Sequence, residues 1–191
     1  MNATLGLRAK TGRAIAVVLT GSRTAPLFVW RGEVSLIDPA VPATGQPYHE
    51  VMEMAWSESV VAVRPLVLAI EAVAGAVLRE LIADMRARGM DVRAMGVVGS
   101  APRNLEKIGN YHIRAHAAEG VLFRQVLETA AKLNGLPCSG YSEQELNEAA
   151  SGLPVAAVMK NLGRSAGAPW RADERLAATA AWLALMIGHR S

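Results

Sequence analysis

Asp173 and Glu174 are adjacent, and Glu143 and Glu145 stand two apart. Carboxylates that converge can hold hard divalent cations or exchange a proton with a substrate. Each also has a plainer use, because an acid at a helix start satisfies free amides and complements the dipole. A second group is cationic. Arg103, Lys107 and Arg114 fall within residues 103–116, with His112, His116, Asn104, Asn110 and Tyr111 between and around them. Cations and amide donors at that density can contact phosphates, although Glu106 and Glu119 dilute the charge. Lys10 and Arg13 flank Thr11-Gly12 in a small basic turn, which lacks the glycine pattern of a phosphate-binding loop. His112 and His116 are four apart, a spacing that suits a metal if both share one helix face. No third ligand is evident and Asn110-Tyr111 reads as loop, so no metal site is expected. Ser22, Ser100 and Ser139 sit in no nucleophile elbow. Cys138 follows Leu-Pro and reads as a core thiol.

Composition narrows the setting. The 191 residues are 51% apolar and only 19% charged, enough to bury a core, so a single domain over residues 1–191 is expected. One cysteine excludes a disulfide framework and a cysteine-based zinc cluster. The opening residues lack the basic-then-apolar layout of a signal peptide. Residues 59–78 are interrupted by Arg64, Pro65 and Glu71, so they read as a buried helix and not a membrane span. The expectation is a cytoplasmic protein without a membrane partner. A net charge of +3 permits an anionic partner without demanding one.

The elements that must carry these residues follow from apolar period. Residues 3–9, 14–20 and 27–37 read as three strands joined by short turns, hence an antiparallel meander, with Gly32 as a candidate bulge. From about residue 48 to residue 88 the period becomes helical, with Pro65 in a first turn or at a break. Residues 92–98 read as a fourth strand, 114–134 as a helix and 136–139 as a fifth strand. Ser142 and Glu145 make a capping-box signature. Residues 153–162 and 172–187 read as helices with a loop over 163–169. A strand–helix–strand crossover needs a parallel neighbour, so the fold class is α/β: a mixed five-stranded sheet with helices on both faces.

That order is shared by RNase H-like folds. Leu5-Gly6-Leu7-Arg8-Ala9-Lys10-Thr11-Gly12-Arg13 resembles the opening strand and turn of RuvC-type Holliday-junction resolvases and related nucleases, roughly apolar-Gly-apolar-Asp-x-Gly. Residues 114–188 resemble the C-terminal half of the same family, ending in the small-residue run RADERLAATAAWLALMIG. The resemblance implies two divalent ions held by acids from the first strand, the fourth strand and the last helix. Here the first-strand acid falls on Arg8 and the fourth strand ends Val97-Val98-Gly99-Ser100 without an acid. The last-helix aspartate falls on Leu176, with Asp173 and Glu174 within one turn.

The expected function is therefore an RNase H-like binding or scaffolding module without metal-dependent nuclease activity and without a cofactor. Lys10, Arg13, Arg103, Lys107 and Arg114 are its candidate nucleic-acid contacts. The alternative is a nuclease with rearranged acids, Asp173, Glu174 and Glu143, using Mg²⁺ or Mn²⁺. A helix with apolar residues on more than one face, from Val60 onward, points to a homo-oligomer and gives a further alternative, a self-associating structural protein.

Overall fold

An apolar run buried on both faces builds each of β1 (Asn2–Lys10) and β2 (Arg13–Gly21), which pair antiparallel across the Thr11-Gly12 turn. Gly12 takes a positive φ of 72° there, a conformation glycine adopts without a steric penalty. The computed structural model describes residues 1–185. Met186 and Ile187, the expected end of the last helix, lie outside the described residues. β3 (Pro26–Ser35) continues the meander, and β4 (Asp91–Val98) and β5 (Cys138–Tyr141) add parallel strands on the other side of β1. The sheet order is β3-β2-β1-β4-β5, a mixed five-stranded sheet as the element order predicts.

Six helices are described: α1 (Trp56–Ala62), α2 (Arg64–Ala87), α3 (Tyr111–Leu133), α4 (Glu143–Ala149), α5 (Val155–Ala166) and α6 (Ala172–Ala184). Side chains alternate across β1, so Leu5 and Leu7 enter one core with Ile70, Leu78, Phe123 and Leu127 of α2 and α3. Val17 and Leu19 of β2 face the other way, onto Ala177, Ala181 and Trp182 of α6 and Met159 and Leu162 of α5. A third cluster joins Val98, Leu146, Ala180 and Leu183. Helices thus cover both faces. No single helix among the described residues is long and apolar enough to cross a membrane.

Several boundaries differ from the sequence expectation for identifiable reasons. The bulge falls opposite Val18 and Leu19, whose partners Trp30 and Phe28 skip Val29; it is not at Gly32. Gly32 instead lies under Trp30, where an added Cβ would come within 2.4 Å of the indole ring. Residues 46–54 are successive turns and not helix, with His49 N–H bonded to Gln46, Met52 to His49 and Met54 to Val51. α1 and α2 meet at a 49° bend, with Pro65 in the first turn of α2, where its missing N–H costs nothing. α3 begins three residues earlier than expected, because the Asn110 side chain accepts from Ile113 N–H at 2.9 Å and caps it. β5 starts two residues later, since Leu136 N–H is committed to Ala131 as α3 closes. α5 runs through Gly163 into the expected loop, because the absent Cβ there admits the ring of Trp170.

Candidate functional site

Arg8 shares a face of β1 with Thr4 and Gly6, the face that meets α6, and it pairs in register with Val98 at the end of β4. β5 ends beside the same point and leads through Ser142 into α4, so Glu143 arrives as the first residue of that helix. Asp173 arrives from the first turn of α6. The guanidinium bridges them: Arg8 Nη2 lies 2.5 Å from Glu143 Oε1, and Arg8 Nε lies 3.4 Å from Asp173 Oδ1. Lys10 Nζ takes the other oxygen of Asp173 at 3.3 Å. Two cations are therefore set against two carboxylates.

The fold brings together two of the three predicted acids and diverts the third. Glu174 accepts from Arg171 N–H at 3.0 Å and caps α6. Glu145 makes the matching cap on α4, accepting from Ser142 N–H at 2.6 Å. That backbone bond, with help from the Ser142 hydroxyl, holds its carboxyl below the ordinary glutamate value. Divalent magnesium or manganese needs several oxygen ligands free to close around it. Asp173 and Glu143 are instead engaged by a guanidinium and an ammonium, and in that arrangement they do not fit such an ion. Beside this cluster Glu143 also lines a groove of about 690 Å³ between α4, α5 and α6, with Leu146, Met159, Lys160, Trp170 and Arg175.

The predicted cations divide in the same way. Lys10 is engaged by Asp173, and Arg13 lies 3.4 Å from Glu33 on the solvent side of the meander. Arg103 and Lys107 are exposed on the loop after β4, and among the described residues neither has an ion-pair partner. Arg114 stands over the Trp56 ring, 5.8 Å from its centroid. Because β1 and β4 are parallel, the Arg8 end of β1 and the loop carrying Arg103 leave the sheet at the same end.

Cys138, read from sequence as a core thiol, is half-buried at the start of β5. Burial pushes it up to about 12, with Glu128 adding to the shift and Arg124 opposing it. The thiol therefore stays protonated at neutral and mildly alkaline pH. Its reaction with a disulfide reagent at pH 8 should run at least about tenfold slower in the folded chain than in urea. Equal rates would show that the native fold does not hold the thiol back.

The His112–His116 pair, for which the sequence offers no third ligand, gains one in the fold. His49, from the turns before α1, stands against His112 and His116 of α3, with ring centroids 4.4–5.2 Å apart. Glu119, one turn further along α3, is fully buried and does not act as a surface acid. Its Oε1 accepts from His49 Nδ1 at 2.7 Å and from His49 N–H at 3.3 Å, while its Oε2 has no hydrogen-bond partner among the described residues. A signal for Glu119 was present: it occupies the apolar stripe Ala115, Ala118, Leu122, Val126, where a carboxylate requires a partner.

Similarity to solved structures follows the architecture. Thermus thermophilus RuvC in complex with a Holliday junction substrate superposes with a TM-score of 0.51 at 13% identity, over 96% of this chain and 92% of that one. A second Thermus thermophilus RuvC structure gives a TM-score of 0.51 at 15% identity, over 95% and 92%. No protein-family model and no curated protein sequence matches the chain. The fold is RNase H-like, of the RuvC-like kind.

Proposed function

We propose that this RuvC-like chain binds nucleic acid without hydrolysing it through divalent ions, and that it acts as a binding or scaffolding module. The observation that carries this reading is the Arg8 guanidinium between Glu143 and Asp173. By the resemblance, position 8 is where related nucleases place their first-strand acid. A fixed cation there repels the ions that would activate water and stabilise a leaving oxygen. The solved complex of Thermus thermophilus RuvC with a Holliday junction makes branched DNA the first ligand to try. Arg103, Lys107 and Arg114 would carry the phosphate contacts, and Lys10 and Arg13 would join them on leaving Asp173 and Glu33. The exposed Val61 and Leu68 on α1 and α2 support a homo-oligomer. A nucleic-acid ligand and a single free cysteine fit the cytoplasm.

Fluorescence anisotropy with single-stranded, duplex and four-way-junction DNA tests the reading. Binding should be nearly indifferent to sequence and weaken steeply with salt. Charge reversal at Arg103 and Lys107 together should flatten the slope of log affinity against log salt by about two, one for each phosphate no longer neutralised. With Mg²⁺ or Mn²⁺ the same substrates should stay intact. Absence of binding to all three would end the nucleic-acid reading. Cleavage that Asp173→Asn abolishes would replace it with a nuclease of rearranged acids.

A further inference from the structure

We infer that His49, His112 and His116 form a site for a borderline divalent transition metal of the zinc type, with Glu119 orienting His49 from behind. The three side chains offer ligand nitrogens that all lie within 4.8 Å of one another. Zinc–imidazole bonds of about 2.0–2.1 Å put tetrahedral nitrogens roughly 3.4 Å apart. His112 and His116 are exposed, so rotamer changes of that size meet little resistance. They sit one turn apart on α3 because Asn110 caps the helix before Tyr111, which puts both imidazoles on one face.

Glu119 makes the site more than a surface cluster. A carboxylate fully buried with one oxygen unpartnered is costly unless positive charge stands close by. Its hydrogen bond to His49 Nδ1 fixes the tautomer and leaves Nε2 as the nitrogen with a free lone pair. Carboxylate, imidazole and metal in line is the usual outer-shell arrangement of a histidine-bound ion, and the dication supplies the missing charge through the ring. Three neutral nitrogen donors select zinc, cobalt, nickel or copper over magnesium and calcium, which require oxygen. The three histidines leave the fourth tetrahedral position to water. The ion would tie the turns of residues 46–54 to the start of α3. The competing arrangement is a His49 imidazolium paired with Glu119 and no metal.

Isothermal titration of the tag-free, chelator-treated full chain with Zn²⁺ separates the two. One equivalent per chain should bind at micromolar affinity or tighter. Cobalt in place of zinc should give the visible absorption of a tetrahedral ion. Saturating zinc should raise the melting temperature by roughly 5–10 °C at a hundredfold excess over the dissociation constant. His112→Ala, at an exposed position that does not endanger folding, should weaken zinc binding at least about a hundredfold. Glu119→Gln should weaken it about 10–100-fold while the circular dichroism spectrum is kept. Zinc binding unchanged in His112→Ala, or absent from the wild-type chain at tens of micromolar, overturns the inference.

Discussion

Gly6→Ala should cost about 4 kcal/mol or more and lower the melting temperature by roughly 10–15 °C, a large effect for one methyl group. A Cβ at position 6 would lie 1.8 Å from the Ala177 carbonyl oxygen and 2.7 Å from the Ala181 nitrogen. Both are backbone atoms of α6, so no rotamer relieves the clash and the helix itself must lift. Thr4 holds it down, donating its hydroxyl to the Ala181 carbonyl at 2.7 Å. Gly96 is the register partner of Gly6 on β4, and a Cβ there would stand 2.8 Å from the Ala180 oxygen. Gly96→Ala should therefore be milder. Gly75 has open space where its Cβ would go, inside α2, so Gly75→Ala should stabilise by about 0.5–1 kcal/mol. Thermal melts of the three variants check the order. A Gly6→Ala protein melting beside the wild type would mean that α6 does not rest on β1 as described.

Arg8→Asp should make the stability of the protein respond to magnesium more strongly than that of the wild type. The substitution sets a third carboxylate toward Asp173 and Glu143, leaving Lys10 as the one cation paired with them among the described residues. Arg8 is 15% exposed but Glu143 is 56% exposed, so the charge reversal is partly screened and should cost about 2–3 kcal/mol in chelator. Millimolar Mg²⁺ should restore much of that loss, because converging carboxylates suit a hard cation. Magnesium discriminates well here, since the three histidines do not attract it. Melting temperatures with and without Mg²⁺ are the measurement. If the variant ignores magnesium, Asp173 and Glu143 do not converge closely enough to hold an ion, and Arg8 is not what keeps ions out.

The architecture was legible because the helices bury one stripe and the inner strands bury both faces, and each habit leaves its own apolar pattern in the sequence. Alternation located β1, a β-branched-rich apolar run located β2, a short apolar run located β4, and the Ser142–Glu145 box located α4. The position of Arg8 was legible too, as a cation two residues beyond a glycine in the first strand. Its partners were not, because the pairing of Arg8 with Glu143 and Asp173 spans 135 and 165 residues and depends on how three elements end together. The histidine cluster was hidden for a more local reason. Reading Asn110 and Tyr111 as loop removed the helix that aligns His112 with His116, whereas Asn110 is the residue that starts it. His49 lies in turns, which carry no period, and nothing in its neighbours announces the buried carboxylate 70 residues later.

The seating of α6 on β1 and β4 also bears on the time course of folding. The meander of β1, β2 and β3 is local and can pair early, within the first 35 residues. The apolar face carrying Val17 and Leu19 waits for Ala177, Ala181 and Trp182, about 160 residues further along. At synthesis rates of about 5–20 residues per second the ribosome exposes that half-finished face for roughly ten seconds or more. During that interval the paired but uncovered strands are the stretch of this chain most open to a chaperone or to another nascent copy.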